Sequence, residues 1–134
     1  MGSCLNNEIA IKMVIEKNLF NGKLKMADNK FNGKWEIVEM DAWSKKNIDL
    51  VEPGYIEFMN GKRGSLHFIC IYADINYQIN KNNKAMFSFQ GDEEGNLISG
   101  RGWAKIKNGD LHGRIFIHNG DESNFIAKLM GSMS

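Results

Sequence analysis

From residue 32 onward the chain is punctuated by asparagine and glycine. The clusters are Asn32-Gly33, Asn60-Gly61, Gly91 to Asn96, Asn108-Gly109-Asp110 and Asn119-Gly120-Asp121. Such pairs tolerate the positive φ angles that tight hairpins require. The runs between them are short and rich in β-branched and aromatic residues. Turn signals at short spacing with such runs between them predict an all-β sandwich or barrel.

Eight strands are predicted: Lys34 to Met40, Tyr55 to Met59, Ser65 to Tyr72, Ile75 to Ile79, Ala85 to Gln90, Leu97 to Lys107, Leu111 to His118 and Asn124 to Met130. Every connection is short except the first. Eight short-linked strands can close on themselves and remove the sticky edges of an open sheet. The expected fold is therefore all-β: an eight-stranded antiparallel up-and-down barrel of lipocalin-like type over residues 31–134. Residues 1–30 are expected to form an N-terminal helix or flexible segment. Ile9, Ile11, Met13 and Ile15 alternate as a strand would, but Glu8 to Phe20 lacks Gly and Pro, and helix is the reading adopted.

Alternation refines this picture. Leu111, Ile115 and Ile117 share one face of their strand with Gly113 between, and His112, Arg114, Phe116 and His118 share the other. The third run is apolar on both faces, which implies cover on both sides. Gly100 and Gly102 flank Arg101, and glycine inside a strand implies a bend, a bulge or a close contact.

Composition narrows the function classes. Seventeen basic and sixteen acidic residues give a net charge of +1, without the basic excess of a nucleic-acid binder. No run approaches the roughly 20 apolar residues of a membrane span. The two cysteines, Cys4 and Cys70, make no disulfide framework. A cytoplasmic protein, monomeric or homodimeric, with no nucleic-acid or membrane partner, is expected.

Catalytic and metal motifs are missing from the sequence. His112 and His118 stand roughly 20 Å apart at strand rise and cannot share a metal. Ser99 sits in no nucleophile elbow. No metal or cofactor is expected. What remains is a set of candidates, each with a structural alternative. Arg101 and Arg114, in strands expected to be half buried, could grip an anion or stack on a tryptophan. Glu52 and Glu57 could form a carboxylate pair, or serve as a turn acceptor and a surface charge. His118, Asp121 and Ser123 share the last hairpin loop, where Asp121 could orient His118 or simply bond the turn backbone. Trp35, Trp43 and Trp103 could line a pocket or fill a core.

Two resemblances follow from particular residues. Gly33-Lys34-Trp35 resembles the Gly-x-Trp start of lipocalins and other calycin-type barrels. That resemblance implies a cavity for a small, usually apolar ligand. It also implies a tryptophan packed against a basic residue near the last strands, with Arg114 the first candidate and Arg101 the second. A longer resemblance runs from about residue 33 to 127. Its runs include Gly33-x-Trp35-x-Ile37-x-Glu39-Met40-x-x-Trp43, Ile48 to Phe58, Phe87-Ser88-Phe89-x-Gly91, Ser99 to Ala104 and Gly113 to His118 with Gly120, Asp121, Ser123 and Phe125. These are similar to a family of small uncharacterised bacterial proteins, which implies a bacterial source and no particular activity.

The reading that results is a non-enzymatic binder of a small ligand, inside the barrel or at its mouth. Polar contacts would come from Arg101, Arg114, Tyr55 and Glu57, and aromatic walls from Trp35, Trp43, Phe68, Phe87 and Trp103. The alternatives are an interaction module using surface loops or the N-terminal segment, and a small enzyme using His118, Asp121 and Glu52. A barrel solidly filled by its own side chains would speak against a ligand inside it.

Overall fold

The computed structural model describes residues 29–130, so the reading of residues 1–28 lies outside the described part. The strands are β1 (Gly33–Met40), β2 (Tyr55–Met59), β3 (Arg63–Phe68), β4 (Ile71–Ile79), β5 (Ala85–Glu93), β6 (Asn96–Lys107), β7 (Asp110–Ile117) and β8 (Glu122–Leu129). A one-turn helix, α1 (Lys45–Ile48), interrupts the long first connection. Each strand pairs antiparallel with the next, and β1 also pairs with β8, so the sheet is a closed eight-stranded up-and-down barrel.

The turn chemistry sets this register. Asn108-Gly109 and Glu94-Gly95 each carry two positive φ angles and join strands as two-residue loops, the conformation that matches the twist of the flanking strands. One turn has no such signature. The predicted third strand ran to Tyr72, but β3 ends at Phe68, Ile69-Cys70 turns the chain, and β4 begins at Ile71. Ile69 sits at φ 60°, a conformation that a β-branched residue rarely adopts. Its backbone N–H donates to the Ile48 carbonyl at 2.8 Å, and the tertiary contact overrides the local preference.

Inward positions alternate cleanly along β4 and β5, with Ile71, Ala73, Ile75 and Tyr77 facing Ala85, Phe87 and Phe89. Across β5 to β8, three cross-strand pairs place a phenyl ring opposite a glycine: Phe89 with Gly100, Phe87 with Gly102 and Phe125 with Gly113. A Cβ on Gly113 would lie 2.6 Å from the Phe125 ring and 2.2 Å from the Trp103 carbonyl oxygen. The glycines in β6 and β7 are thus the space into which the rings fold, and this is the close contact their position in strands implied.

Both ends are stoppered. At one end Phe31 packs edge-on to Phe58, which meets Tyr77 and Phe87 in turn, and the Phe31 carbonyl accepts the Trp35 indole N–H at 2.9 Å. At the other end, called the mouth here, Ile48 of α1 is fully buried against Gly54. Ser44 caps α1, its hydroxyl accepting from the Asn47 amide. The expected packing of Arg114 or Arg101 on Trp35 is not found. Gly113 and Ile115 face inward, so alternation turns Arg114 outward, where both guanidiniums lie over the Phe116 ring at 5.4 and 5.0 Å.

If the glycine–phenyl pairs set the barrel's width, Gly113→Ala should cost about 1–3 kcal/mol by overpacking, read from urea unfolding midpoints. Phe125→Leu in the same chain should restore part of that loss. A Gly113→Ala protein as stable as the parent would show that the wall yields freely there.

Candidate functional site

A closed barrel with a filled interior leaves two kinds of surface for chemistry, the mouth and the outer wall. Up-and-down order brings the β1–β2 linker and the β3–β4, β5–β6 and β7–β8 turns together at the mouth. They surround an open cleft of about 490 Å³. Its apolar side is Trp43, Ile69, Ile98 and Ile117, all partly buried against the core. Trp43 leans on Phe68 with ring centroids 5.4 Å apart. The polar side is Glu93, Ser99, His118 and Asp121. Leu97 stands at the rim, 89% exposed.

The last hairpin loop holds His118 in a specific way. Its backbone N–H donates to the Ser99 carbonyl at 2.9 Å, and its Nδ1 lies 3.1 Å from the Ser99 hydroxyl. Ser99, not Asp121, is therefore the residue that orients the imidazole. Asp121 contributes its backbone carbonyl, which accepts from the Ile117 amide at 3.0 Å. Its carboxylate makes no hydrogen bond or ion pair among the described residues and borders the same cleft.

Ser123, the third residue picked from that loop, has a different role. It is buried, its Oγ accepts from the Asp41 and Ala42 amides at 2.9 and 3.1 Å, and it donates to the Asn124 carbonyl at 2.8 Å. It clamps the chain leaving β1 onto β8.

Glu52 does not line the mouth cleft, so His118, Asp121 and Glu52 do not converge. Glu52 accepts the Tyr72 hydroxyl at 2.6 Å. The Tyr72 ring stacks on His67 at 4.0 Å and 22°, and Tyr55 lies 5.7 Å from His67. His67 is fully buried although it occupies an outward strand position. Its Nδ1 is 2.8 Å from the Ile71 carbonyl oxygen. A carbonyl only accepts, so Nδ1 is assigned the proton. Nε2 has no partner. The bond to Glu52 comes first among the causes that push the Tyr72 phenol up to about 12, because the carboxylate stabilises the protonated form. Burial, followed by Glu52 and Glu57, raises that of Tyr55. None of this was legible while β3 was read through to Tyr72, since the pairing of His67 with Tyr72 depends on the turn at Ile69.

The remaining candidates are dispersed. Trp35, Phe68 and Phe87 are core residues. Tyr55, Glu57, Arg101, Trp103 and Arg114 occupy outward positions on their strands. Lys34 lies over Tyr55 and Lys84 over Trp103, at 4.1 and 4.5 Å. Arg114 donates to Asn124 at 2.8 Å and pairs with Glu122 at 3.5 Å. Among the described residues no three His, Cys, Asp or Glu side chains are grouped to hold a metal, and no helix is long and apolar enough to cross a membrane. Comparison with protein-family models, curated proteins and solved structures finds no match.

Two measurements test these assignments. Ser123→Ala strands two amides and should cost about 1–3 kcal/mol of stability, against no loss if the hydroxyl is idle. The folded chain holds the Tyr72 proton more tightly than the unfolded chain does. The stability this gives is full below pH about 10 and should be lost as pH rises from about 10 to about 12. Melting curves across that range should show the fall, and Glu52→Gln should flatten it while near-UV absorbance shows the phenol ionising earlier.

Proposed function

We propose that the protein is a non-enzymatic binder that takes a small ligand at the mouth of the barrel. One observation carries this reading. The inward side chains of the described residues form one buried apolar cluster, whereas the mouth keeps Trp43, Ile69, Ile98 and Ile117 partly open beside carboxylates that have no ion-pair partner among the described residues. Small-molecule sites typically combine an apolar wall with a few convergent polar groups. Here the wall would take an apolar body, while Glu93 and Asp121 favour a cationic or hydrogen-bond-donating head beside the Trp43 ring. Ile69 adds a second support. Backbone strain of order 1–3 kcal/mol persists where the surroundings over-determine it, and such residues cluster at ligand clamps. A cytoplasmic setting belongs to the same proposal, and the free thiol of Cys70 supports it.

A second reading rests on exposed apolar side chains. Leu97, at the start of β6, and Leu50 and Val51, on the β1–β2 linker, are 89%, 63% and 59% exposed at the mouth end. Exposed apolar surface of this kind suits a protein partner if it forms one patch.

Native mass spectrometry of freshly purified protein, followed by denaturation of the same sample, separates the two. The binder reading predicts a monomer carrying a small added mass that leaves on denaturation and is absent from Trp43→Ala. A clean dimer, or a co-purified protein, would move the function to the second reading. An unladen monomer whose mouth amides do not shift with small aromatic amines would remove the first.

A further inference from the structure

The outer wall of the barrel is not uniform. Where α1, β7 and β8 meet their neighbours, exposed charges are paired: Lys45 with Glu36 and Asp49, Arg114 with Glu122, and Lys128 with Asp110. Across β3 to β6 the pattern changes. The register aligns Arg63 with Asn76, Asn76 with Ser88, and Ser88 with Arg101, one residue on each of four adjacent strands. A parallel row aligns Asp74 with Gln90 and Gln90 with Ser99. These side chains point outward, because Gly64, Ile75, Phe87, Phe89 and Gly100 occupy the inward positions between them.

Two adjoining open clefts of about 440 and 370 Å³ lie along this face and share Ser88. Among the described residues the guanidiniums of Arg63 and Arg101 make no hydrogen bond or ion pair, and neither do the side chains of Asn76, Ser88 and Gln90. The Arg101 guanidinium lies 5.0 Å from the Phe116 ring. Three strand spacings separate the two arginines, roughly 14 Å around the wall.

We infer that this groove binds a short acidic oligosaccharide laid across the strands. Each sugar hydroxyl both donates and accepts, and so do the amides and hydroxyls of Asn76, Ser88 and Gln90. The planar guanidinium at each end matches a carboxylate with two parallel hydrogen bonds. Single-stranded nucleic acid fits less well. It calls for exposed aromatic platforms and a basic groove, and here the side chains between the two arginines, Asn76 and Ser88, are neutral and non-aromatic while the chain's net charge is +1. The groove is separate from the proposed mouth site, with Ser99 and His118 on the boundary.

Amide chemical shifts of the full chain, titrated with trigalacturonate, test the inference. The shifts should centre on β4, β5 and β6. The fully methyl-esterified trisaccharide, identical except for its masked carboxylates, should bind at least about tenfold more weakly, as should Arg101→Gln and Arg63→Gln toward trigalacturonate, each losing one guanidinium–carboxylate pair. Lys105→Gln, on β6 but outside the groove, should bind as the parent does. Both arginines are exposed, so the variants' own spectra will report an intact fold. Failure to bind at millimolar trigalacturonate, shifts elsewhere on the barrel, or undiminished binding by both arginine variants would overturn the proposal. So would a polyglutamate peptide that binds the same residues as tightly, since the groove would then read charge alone.

Discussion

Everything in this structure depends on the closure of eight strands around an interior that their own side chains fill. Closure removes both sheet edges, so each strand's ladder hydrogen bonds go to its two neighbours. Eight strands also give an interior only about wide enough for side chains. The phenyl–glycine pairs make the two requirements compatible: the rings of Phe87, Phe89 and Phe125 fold over Gly102, Gly100 and Gly113, which leave the neighbouring strand bare. Polar and titratable side chains are thereby left at the mouth and on the outer wall.

The mouth follows from how the longest connection is anchored. Lys45 reaches Glu36, Asp49 and the Ile37 carbonyl, while Ser123 holds the chain that leaves β1. Ile48 is thereby seated as the stopper, and its carbonyl takes the Ile69 amide that bends β3 into β4. Trp43 then stands over Phe68 rather than within the core. The same linker carries Glu52 to Tyr72 and helps close the outer face of His67. A segment with almost no regular structure thus sets the geometry of both titratable clusters.

Much of the fold was legible in the sequence because its turns are chemically explicit. Asn108-Gly109 and the Gly91 to Asn96 cluster delimit β5, β6 and β7 to within a few residues. The β3–β4 turn was not legible, since Ile69-Cys70 carries no glycine, asparagine or proline and is imposed by contact with Ile48. That error concealed the register that joins His67 to Tyr72. Arg101 was harder to place for a different reason. Gly100 and Gly102 are themselves the inward residues, so Arg101 points out, but a glycine gives no apolar signal to mark its face; for Arg114 the alternation of Leu111 and Ile115 was legible, and what failed was the expected contact with Trp35. Ser99 beside His118 was beyond a sequence reading altogether, because it requires the β6–β7 register. The Gly33-Lys34-Trp35 start implied a barrel but not the partner of Trp35, which is a backbone carbonyl rather than an arginine.

The seam between β1 and β8 joins the two ends of the domain, Trp35 beside Leu129 and Met40 beside Phe125. All other pairings link consecutive strands and can form hairpin by hairpin. The seam alone must close a loop nearly as long as the barrel's own sequence, an entropic cost met before its contacts return anything. Of the eight pairings it therefore carries the largest loop-closure cost. Until it forms, β1 and β8 each present an open edge of matching register. Two chains folding at high concentration can satisfy those edges on each other, so the feature that makes the finished barrel unable to pair with neighbours makes its unfinished form prone to exchange strands.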